Sequence, residues 1–372
     1  MDLGISTHTL FGINDLKEYS RMFFGHIQPF LFLYAKVWSI FFKSSLSILL
    51  LQLFLLILPT FWIYKKFNHI SVIAYLLYFP LWFNALFDFH IDHLSIPLLF
   101  GFFISIANNK YIWALVFSIV LSFVKEIFIL QTIVCAIYII FHSYETKNLN
   151  FTVLLSAIST FIFGIFYFSL ALKYLTTEYQ SFGLNSEAFS WLGTSIYEIV
   201  IYSLTHLKEI LIDIFHTPRK MLYLFAIFAA LGFIPLLNLG PLLIAMPILA
   251  VSLISNYEGY YGLGHHYSAG LIAPLIVSFY GGLPKAKAIW KKIGISYKWF
   301  TPFIISILLG AHIVLSPSPI SRLFWSDKIW SYSYKAYIPN ERDRILRNSI
   351  NTFIPDDPDL VLSVQNTLNL DS

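Results

Sequence analysis

The chain has 372 residues, of which 58% are hydrophobic and 12% charged, and its formal net charge is +4. Soluble domains contain about 45–50% apolar and about 25% charged residues, so this composition excludes a soluble globule and a disordered chain, and it argues against a nucleic-acid partner. The apolar excess, which includes 37 Phe, 23 Tyr and 9 Trp, predicts a protein whose partner is the lipid bilayer.

The apolar runs predict an all-α integral membrane protein built as a multi-span helical bundle. A helix that crosses a bilayer needs roughly 20 apolar residues, and fewer where the protein shields its ends. About ten runs meet this condition, several of them short, at 46–64, 71–86, 94–108, 111–124, 127–142, 151–172, 221–238, 240–254, 268–281 and 299–315.

Two segments differ from these runs. Residues 27–43 are apolar, but Lys36 and Lys43 lie seven residues apart on one helical face, which suits a helix lying in the membrane interface. The charged segment 316–372 is too short for a strong core of its own, so we expect a small extracytoplasmic tail that leans on the membrane domain 1–315.

Lysines in short loops predict the orientation. The cluster PKAKAIWKK at 284–292 lies in the same set of alternate loops as Lys65, Lys66, Lys110 and Lys147. Because positive loops stay in the cytoplasm, we predict a protein integral to the cytoplasmic membrane (the inner or plasma membrane). The N-terminus, the long loop 173–220 and the tail then face outward.

Titratable and polar groups gather at the predicted outer ends of the spans. Ionisable groups at membrane depth are costly and usually functional. The candidate site residues are Asp2, His26, Asp88, His90, Asp92, Lys125, Glu126, His265, His266 and Tyr267. Structural alternatives are a free tail for Asp2, solvation for Asp88 and His90, helix capping for Asp92, a mutual ion pair for Lys125 and Glu126, and an interfacial belt for His265 to Tyr267.

These residue types fit two kinds of chemistry. The carboxylates and imidazole of Asp88, His90 and Asp92 suit a divalent metal such as Mg or Mn, although their spacing matches no closed-site pattern. Carboxylates beside His and Lys also suit general-base activation of a hydroxyl next to a phosphate leaving group. The sequence has no GxSxG, Walker or GxGxxG motif, and Cys135 lies within a span.

Six motifs in order carry a family resemblance over nearly the whole chain. They are DLGI (2–5), GHIQP (25–29), FDFHIDHLSIPL (87–98), KEIFIL (125–130), HYSAGLIAPL (266–275) and SPSPISRLFW (316–325). The chain resembles the predicted multi-pass membrane proteins of domain-of-unknown-function family twenty-seventy-nine. That family looks similar to the GT-C glycosyltransferases, membrane enzymes that use polyprenyl-phosphate sugars and include protein mannosyltransferases.

The sequence departs from the family pattern at a few positions. Asp92 stands where Glu is usual, Ile127 replaces an Asp, and Ser6 to His8 replace Phe-Asp-Gln. The family has a membrane helix before its first motif, whereas Met1 directly precedes that motif here. We therefore expect the domain as given to lack this first helix.

The resemblance implies transfer of a sugar from a polyprenyl-phosphate carrier to an acceptor on the outer face. Asp2 and Asp88 would be catalytic, with Asp2 as the base. The other candidates would bind the substrate or the lipid phosphate, or hold the metal. The rival hypotheses are a transporter or flippase, whose coupling site these residues would form, and a non-catalytic membrane subunit.

Overall fold

The computed structural model describes residues 26–41, 45–179, 186–326 and 332–353, and in this part all of the regular secondary structure is helical, with no β-strand. Asp2 lies outside the described residues. The α-helices, in chain order, are α1 (Pro29–Phe41), α2 (Ser45–Lys66), α3 (His69–Leu77), α4 (Phe79–Leu86), α5 (Ser95–Ala107), α6 (Tyr111–Ser122), α7 (Glu126–Glu145), α8 (Phe151–Tyr179), α9 (Ile196–Thr205), α10 (Leu207–His216), α11 (Pro218–Ala229), α12 (Leu242–Ile254), α13 (Glu258–Tyr261), α14 (Ala269–Lys292), α15 (Phe300–Leu315) and α16 (Glu341–Phe353).

Five helical segments are long and apolar enough to cross a membrane on their own, or six if the bent pair α3–α4 forms one span. The five are Leu46–Lys66, Glu126–Glu145, Phe151–Leu175, His266–Lys292 and Tyr297–Leu315. Several other apolar runs form shorter helices: α5 has 13 residues and α6 has 12. At 1.5 Å per residue these helices are about 20 Å long, less than the hydrocarbon thickness of about 30 Å. Ten crossings therefore stay a prediction from the sequence.

Helix α14 lies at the centre of the bundle. Within its span 72% of the most apolar window is buried, against 22–50% for the other four. Close packing requires a small residue at Gly270, because an added Cβ would lie 2.7 Å from Gln131 Oε1. The Gln131 amide donates to the carbonyls of Ile244 (2.8 Å) and Gly270 (2.9 Å). One buried side chain therefore ties α7 to both α12 and α14.

Loops that carry lysines meet at one end of the bundle. The Lys66 ammonium donates to the side chain of Asn108, and the Asn148 amide donates to Asn109 Oδ1 at 2.8 Å. Asn109 makes the tight α5–α6 turn with a left-handed backbone (φ 58°). Since α5 and α7 end here and begin beside Asp92 and Lys125, the lysine-bearing loops and the candidate site lie at opposite ends of these helices.

The segment 173–220, expected as a loop, is largely helical in its described part. Helix α8 continues to Tyr179, and α9 and α10 follow. Helix α9 begins with a capping box, in which the side chains of Ser195 and Glu198 each accept a hydrogen bond from the other residue's backbone N–H.

The tail contacts the membrane domain. Tyr332 is buried, donates its hydroxyl to the carbonyl of Gly264 at 2.9 Å, and packs edge-on against Phe83. The backbone N–H of Arg322 donates to the carbonyl of Ile313 at 2.7 Å. Tyr332 and Arg322 therefore hold the described part of the tail against the bundle.

Candidate functional site

The loop between α4 and α5 carries the acid and imidazole groups inward. Gln52, buried within α2, accepts a hydrogen bond from the backbone N–H of His90 at 3.4 Å and donates to the carbonyl of Asn84 at 3.2 Å. A 3-10 turn, Ile91–Leu94, follows. Its hydrophobic residues and the hydrogen bond from Ser95 Oγ to the carbonyl of Asp92 (2.7 Å) fix the turn on the bundle. The Asp92 side chain is thereby held in the interior.

A buried charge cluster forms where this turn meets the start of α7. Lys125 Nζ lies 3.5 Å from both carboxylate oxygens of Asp92. The exposed fractions of the two residues are 6% and 3%. Burial alone would lower the pKa of the Lys125 ammonium, but the carboxylates of Asp92 and Glu126 outweigh it and hold that pKa above its usual range. Lys125 and Asp92 therefore form a buried ion pair.

Glu126 has a different partner. Its Oε1 lies 2.6 Å from His26 Nδ1, and its Oε2 accepts from the backbone N–H of Ile27 at 3.0 Å. The mutual Lys125–Glu126 pair considered from the sequence is therefore wrong as an account of these two residues. Lys125 has an extended backbone (φ −167°, ψ 156°) just before the helix, so the two consecutive side chains point to different neighbours.

Imidazoles and aromatic rings surround Asp92. His266 Nε2 lies 3.9 Å from Asp92 Oδ2, and the rings of His266 and His90 stack with centroids 3.6 Å apart. Phe87 packs on the same two imidazoles. The Lys125 ammonium lies 5.7 Å from the centroid of the Tyr267 ring. His266 is only 5% exposed, so an interfacial-belt role does not describe it.

Asp88 and His265 lie at the edge of this cluster. Asp88 is half-buried and its Oδ1 accepts from the backbone N–H of Phe89 at 3.0 Å. His265 is also half-buried, with its ring 6.0 Å from Phe87. Asp92 does not cap α5, whose start carries no side-chain capping hydrogen bond in the described structure.

Among the residues that the structure describes, His90, Asp92 and His266 form a group that could hold a metal, and their ligand atoms all lie within 4.8 Å of one another. The set expected from sequence spacing, Asp88, His90 and Asp92, shares two of these members. Asp88 is not in the group that the fold assembles.

A cavity of about 410 Å³ adjoins the charge cluster. Asp92, Lys125, Glu126, Tyr260 and Tyr267 line its polar end. Its walls are apolar and come from α8, α9 and α12, and they include Phe168, Leu175, Val200, Leu204, Ile248 and Val251.

Two residues of α9 line the cavity and are also exposed at the surface of the bundle. Val200 and Leu204 line it while they are 49% and 66% exposed. The cavity therefore adjoins the surface of the bundle at α9, and its polar end lies at Lys125.

Two contributors to this site were missed by the sequence reasoning. Gln52 lies inside the apolar run 46–64 and is absent from the candidate residues, although a polar residue inside an apolar run is itself a signal. Helix α9 lies in the segment expected as a loop, although Ser195 and Glu198 have the spacing of a capping box ahead of an apolar run.

These features define a polytopic helical membrane protein with a buried charge cluster at one end of its bundle. The chain belongs to the family described as Predicted membrane protein (DUF2079), which matches residues 14–356. This match confirms the family resemblance carried by the motifs. No curated protein and no solved structure matches the chain.

Proposed function

We propose that the protein is a membrane glycosyltransferase of GT-C type, which transfers a sugar from a polyprenyl-phosphate carrier to an acceptor. The observation that carries this proposal is the apolar cavity that ends at a buried, charged lysine. A lipid phosphate needs both parts, because its chain must stay out of water and its head group must meet a cation. The family match supports a membrane protein, and the sugar chemistry rests on the resemblance to GT-C enzymes.

The proposed reaction is a direct displacement at the anomeric carbon. The acceptor hydroxyl oxygen forms a bond to this carbon, and the bond from this carbon to the phosphate oxygen breaks, so the configuration inverts. The lipid phosphate leaves with the bonding electrons, and Lys125 stabilises its charge. The acceptor proton passes to a carboxylate base. The resemblance assigns the base to Asp2, and Asp88 at the rim would position the acceptor.

The proposed orientation places this site on the outer side of the cytoplasmic membrane. The lysine-bearing loops at the other end of the bundle would then face the cytoplasm, as the positive-inside rule requires. With the bent pair α3–α4 counted as one span, the short helices α5, α6, α11 and α12 would complete ten crossings where tilting or local thinning lets short helices span.

The experiment that tests this proposal pairs two neighbouring positions of α9. Val200 lines the cavity, whereas Ile201 is similarly exposed (42%) and does not. We expect Val200→Trp to fill the cavity and abolish transfer of labelled sugar from polyprenyl-phosphate sugars in membranes, and Ile201→Trp to keep it.

Three outcomes would contradict the proposal. The first is equal transfer by Val200→Trp and the unmodified chain, which would remove the cavity from the reaction. The second is movement of the carrier across vesicles without any sugar transfer, which would favour a flippase. The third is absence of transfer with every carrier of a panel, which would favour a non-catalytic subunit.

A further inference from the structure

We infer that His90, Asp92 and His266 form a binding site for a transition-metal dication. The three residues come from the α4–α5 loop and from the start of α14, and their ligand atoms lie within 4.8 Å of one another. The inference concerns metal binding alone, so it does not depend on the proposed sugar transfer.

The main argument is the state of the His266 ring. It is buried, with 5% exposure, and among the described residues neither Nδ1 nor Nε2 has a hydrogen-bond partner. A buried polar group without a partner is destabilising, and a bound ion or an ordered water is one of the ways in which folded proteins satisfy such a group. Nε2 faces Asp92 Oδ2 at 3.9 Å, too far for a hydrogen bond. The nitrogen and the carboxylate oxygen are therefore close enough to share one ion and are not bonded to each other.

The Asp92 carboxylate keeps capacity for a further ligand. Its two oxygens each lie 3.5 Å from Lys125 Nζ, whereas charge-assisted hydrogen bonds of this type measure about 2.7–2.9 Å. Lys125 therefore balances the charge of the Asp92 carboxylate without a short hydrogen bond, and the carboxylate oxygens can still bind a further ligand. A dication coordinated by Asp92 would still share that carboxylate's charge with the lysine.

The distances set how far the site must close. Zinc lies about 2.0–2.2 Å from imidazole nitrogen and carboxylate oxygen, so two ligand atoms of one ion are at most about 4.4 Å apart. The His266–Asp92 distance of 3.9 Å already meets this limit. The third ligand, His90, lies in a nearly parallel stack with His266. Imidazole binds a metal through a lone pair in the plane of its ring, so one of the two rings must rotate out of the stack before both can bind the same ion. We expect binding of the ion to replace that stack.

The donor set selects the kind of metal. Two imidazoles and one carboxylate suit Zn²⁺, Co²⁺, Fe²⁺ or Mn²⁺, whereas Mg²⁺ prefers oxygen ligands and retains water. The sequence-based expectation of Mg or Mn rested on two carboxylates and one imidazole. With His266 in place of Asp88, the preference moves toward metals that bind nitrogen.

The test uses the full chain, purified in detergent, stripped with a chelator and titrated with Co²⁺, Zn²⁺ and Mg²⁺. We expect one equivalent of Co²⁺ with the visible absorption of nitrogen-bound cobalt, competition by Zn²⁺, and much weaker binding of Mg²⁺. The chain offers two matched pairs of variants. His266→Gln and Asp92→Asn should each weaken Co²⁺ binding by more than about 100-fold, since even outer-shell partners contribute about 10–100-fold. His265→Gln and Asp88→Asn should bind Co²⁺ as the unmodified chain does.

Lys125 gives an independent check of where the ion lies. A dication beside Asp92 is repelled by the Lys125 ammonium, so Lys125→Met should bind Co²⁺ more tightly, by at least about tenfold in a partly buried site. Weaker binding to Lys125→Met would overturn the placement beside Asp92.

Two further results would overturn the site. One is undiminished Co²⁺ binding by both His266→Gln and Asp92→Asn. The other is loss of binding in Asp88→Asn with retention in His266→Gln, which would restore the set expected from the sequence. If a variant does not fold, the test uses the unmodified chain alone. A ligand that binds the native state raises its melting temperature, so Zn²⁺ should raise the melting temperature of the unmodified chain. If the unmodified chain shows neither the cobalt absorption nor a Zn²⁺-dependent rise in melting temperature, the inference is refuted.

Discussion

Single and double variants of the ion pair between Lys125 and Asp92 can distinguish its contribution to stability from a contribution of Lys125 to ligand binding. Both residues are buried, and Lys125 Nζ lies 3.5 Å from each carboxylate oxygen. Lys125→Met leaves the Asp92 carboxylate buried without its counter-ion, a change that destabilises proteins by about 3–5 kcal/mol. Replacing both members, as in Lys125→Met with Asp92→Leu, removes the stranded charge and should recover most of that loss.

The second measurement is binding of polyprenyl phosphate. If Lys125 contacts the phosphate, the double variant loses a charge-assisted hydrogen bond, of about 1.5–3 kcal/mol. At 1.36 kcal/mol per factor of ten, this corresponds to roughly 10- to 150-fold weaker binding. We would measure denaturant unfolding in detergent and carrier binding for the unmodified chain, both single variants and the double variant.

A second buried lysine provides the control. Lys220 is 1% exposed, and its Nζ lies 2.5 Å from Asp213 Oδ2, but neither residue lines the cavity. We expect Lys220→Met to destabilise the chain and the double change with Asp213→Leu to restore stability, with carrier binding unchanged throughout. A folded Lys125–Asp92 double variant that binds the carrier as well as the unmodified chain would refute the phosphate role of Lys125. A fully stable Lys125→Met single variant would refute the electrostatic reasoning.

Three further predictions address topology, the rim of the site and the tail. A cysteine in place of Lys287 should react with impermeant thiol reagents only from the cytoplasmic side, and a cysteine in place of Glu187 only from outside. The reverse pattern would overturn the orientation. The native Cys135 is buried and should contribute little background labelling. Asp88→Asn should change the free energy of unfolding by about 0.5 kcal/mol or less yet abolish sugar transfer, so unchanged transfer would remove Asp88 from the reaction. Tyr332→Phe should lower the free energy of unfolding by about 0.5–1.5 kcal/mol, because the hydrogen bond to the carbonyl of Gly264 is lost. We expect a protease to cleave the tail of this variant faster than that of the unmodified chain. Equal cleavage would show that this hydrogen bond does not hold the tail on the bundle.

The class of protein and several residues of the candidate site could be predicted from the sequence. Apolar runs are reliable for long helices because the bilayer dictates their length and polarity, and α2, α7 and α8 follow from them. Charged residues between such runs are rare for the same reason, so Lys125, Asp92 and His266 stood out before any geometry was known. The structure places these three within one cluster.

The partners of these groups could not be predicted, because they depend on local backbone geometry. Asp88 and Asp92 look equivalent in the sequence, but the 3-10 turn Ile91–Leu94 turns only Asp92 into the interior. Lys125 and Glu126 are adjacent in the chain, yet the extended backbone at Lys125 sends them to Asp92 and His26. The cavity walls come from α8, α9 and α12, which are distant in the sequence, and no local pattern encodes how such helices lie around a common space.

The charges at the polar end of the cavity connect the two proposals. One ammonium, that of Lys125, lies there with two carboxylates, those of Asp92 and Glu126. An anionic phosphate that enters such a site needs additional positive charge, because Coulomb interactions are strong where water is excluded. A dication on His90, Asp92 and His266 would supply that charge next to Lys125. We therefore expect polyprenyl phosphate to bind more tightly to the Zn²⁺-loaded chain than to the chelator-treated chain, and His266→Gln to remove this difference while His265→Gln preserves it. Equal affinities of the loaded and stripped chains, at a Zn²⁺ concentration shown to saturate the site, would mean that the metal and the phosphate occupy independent sites.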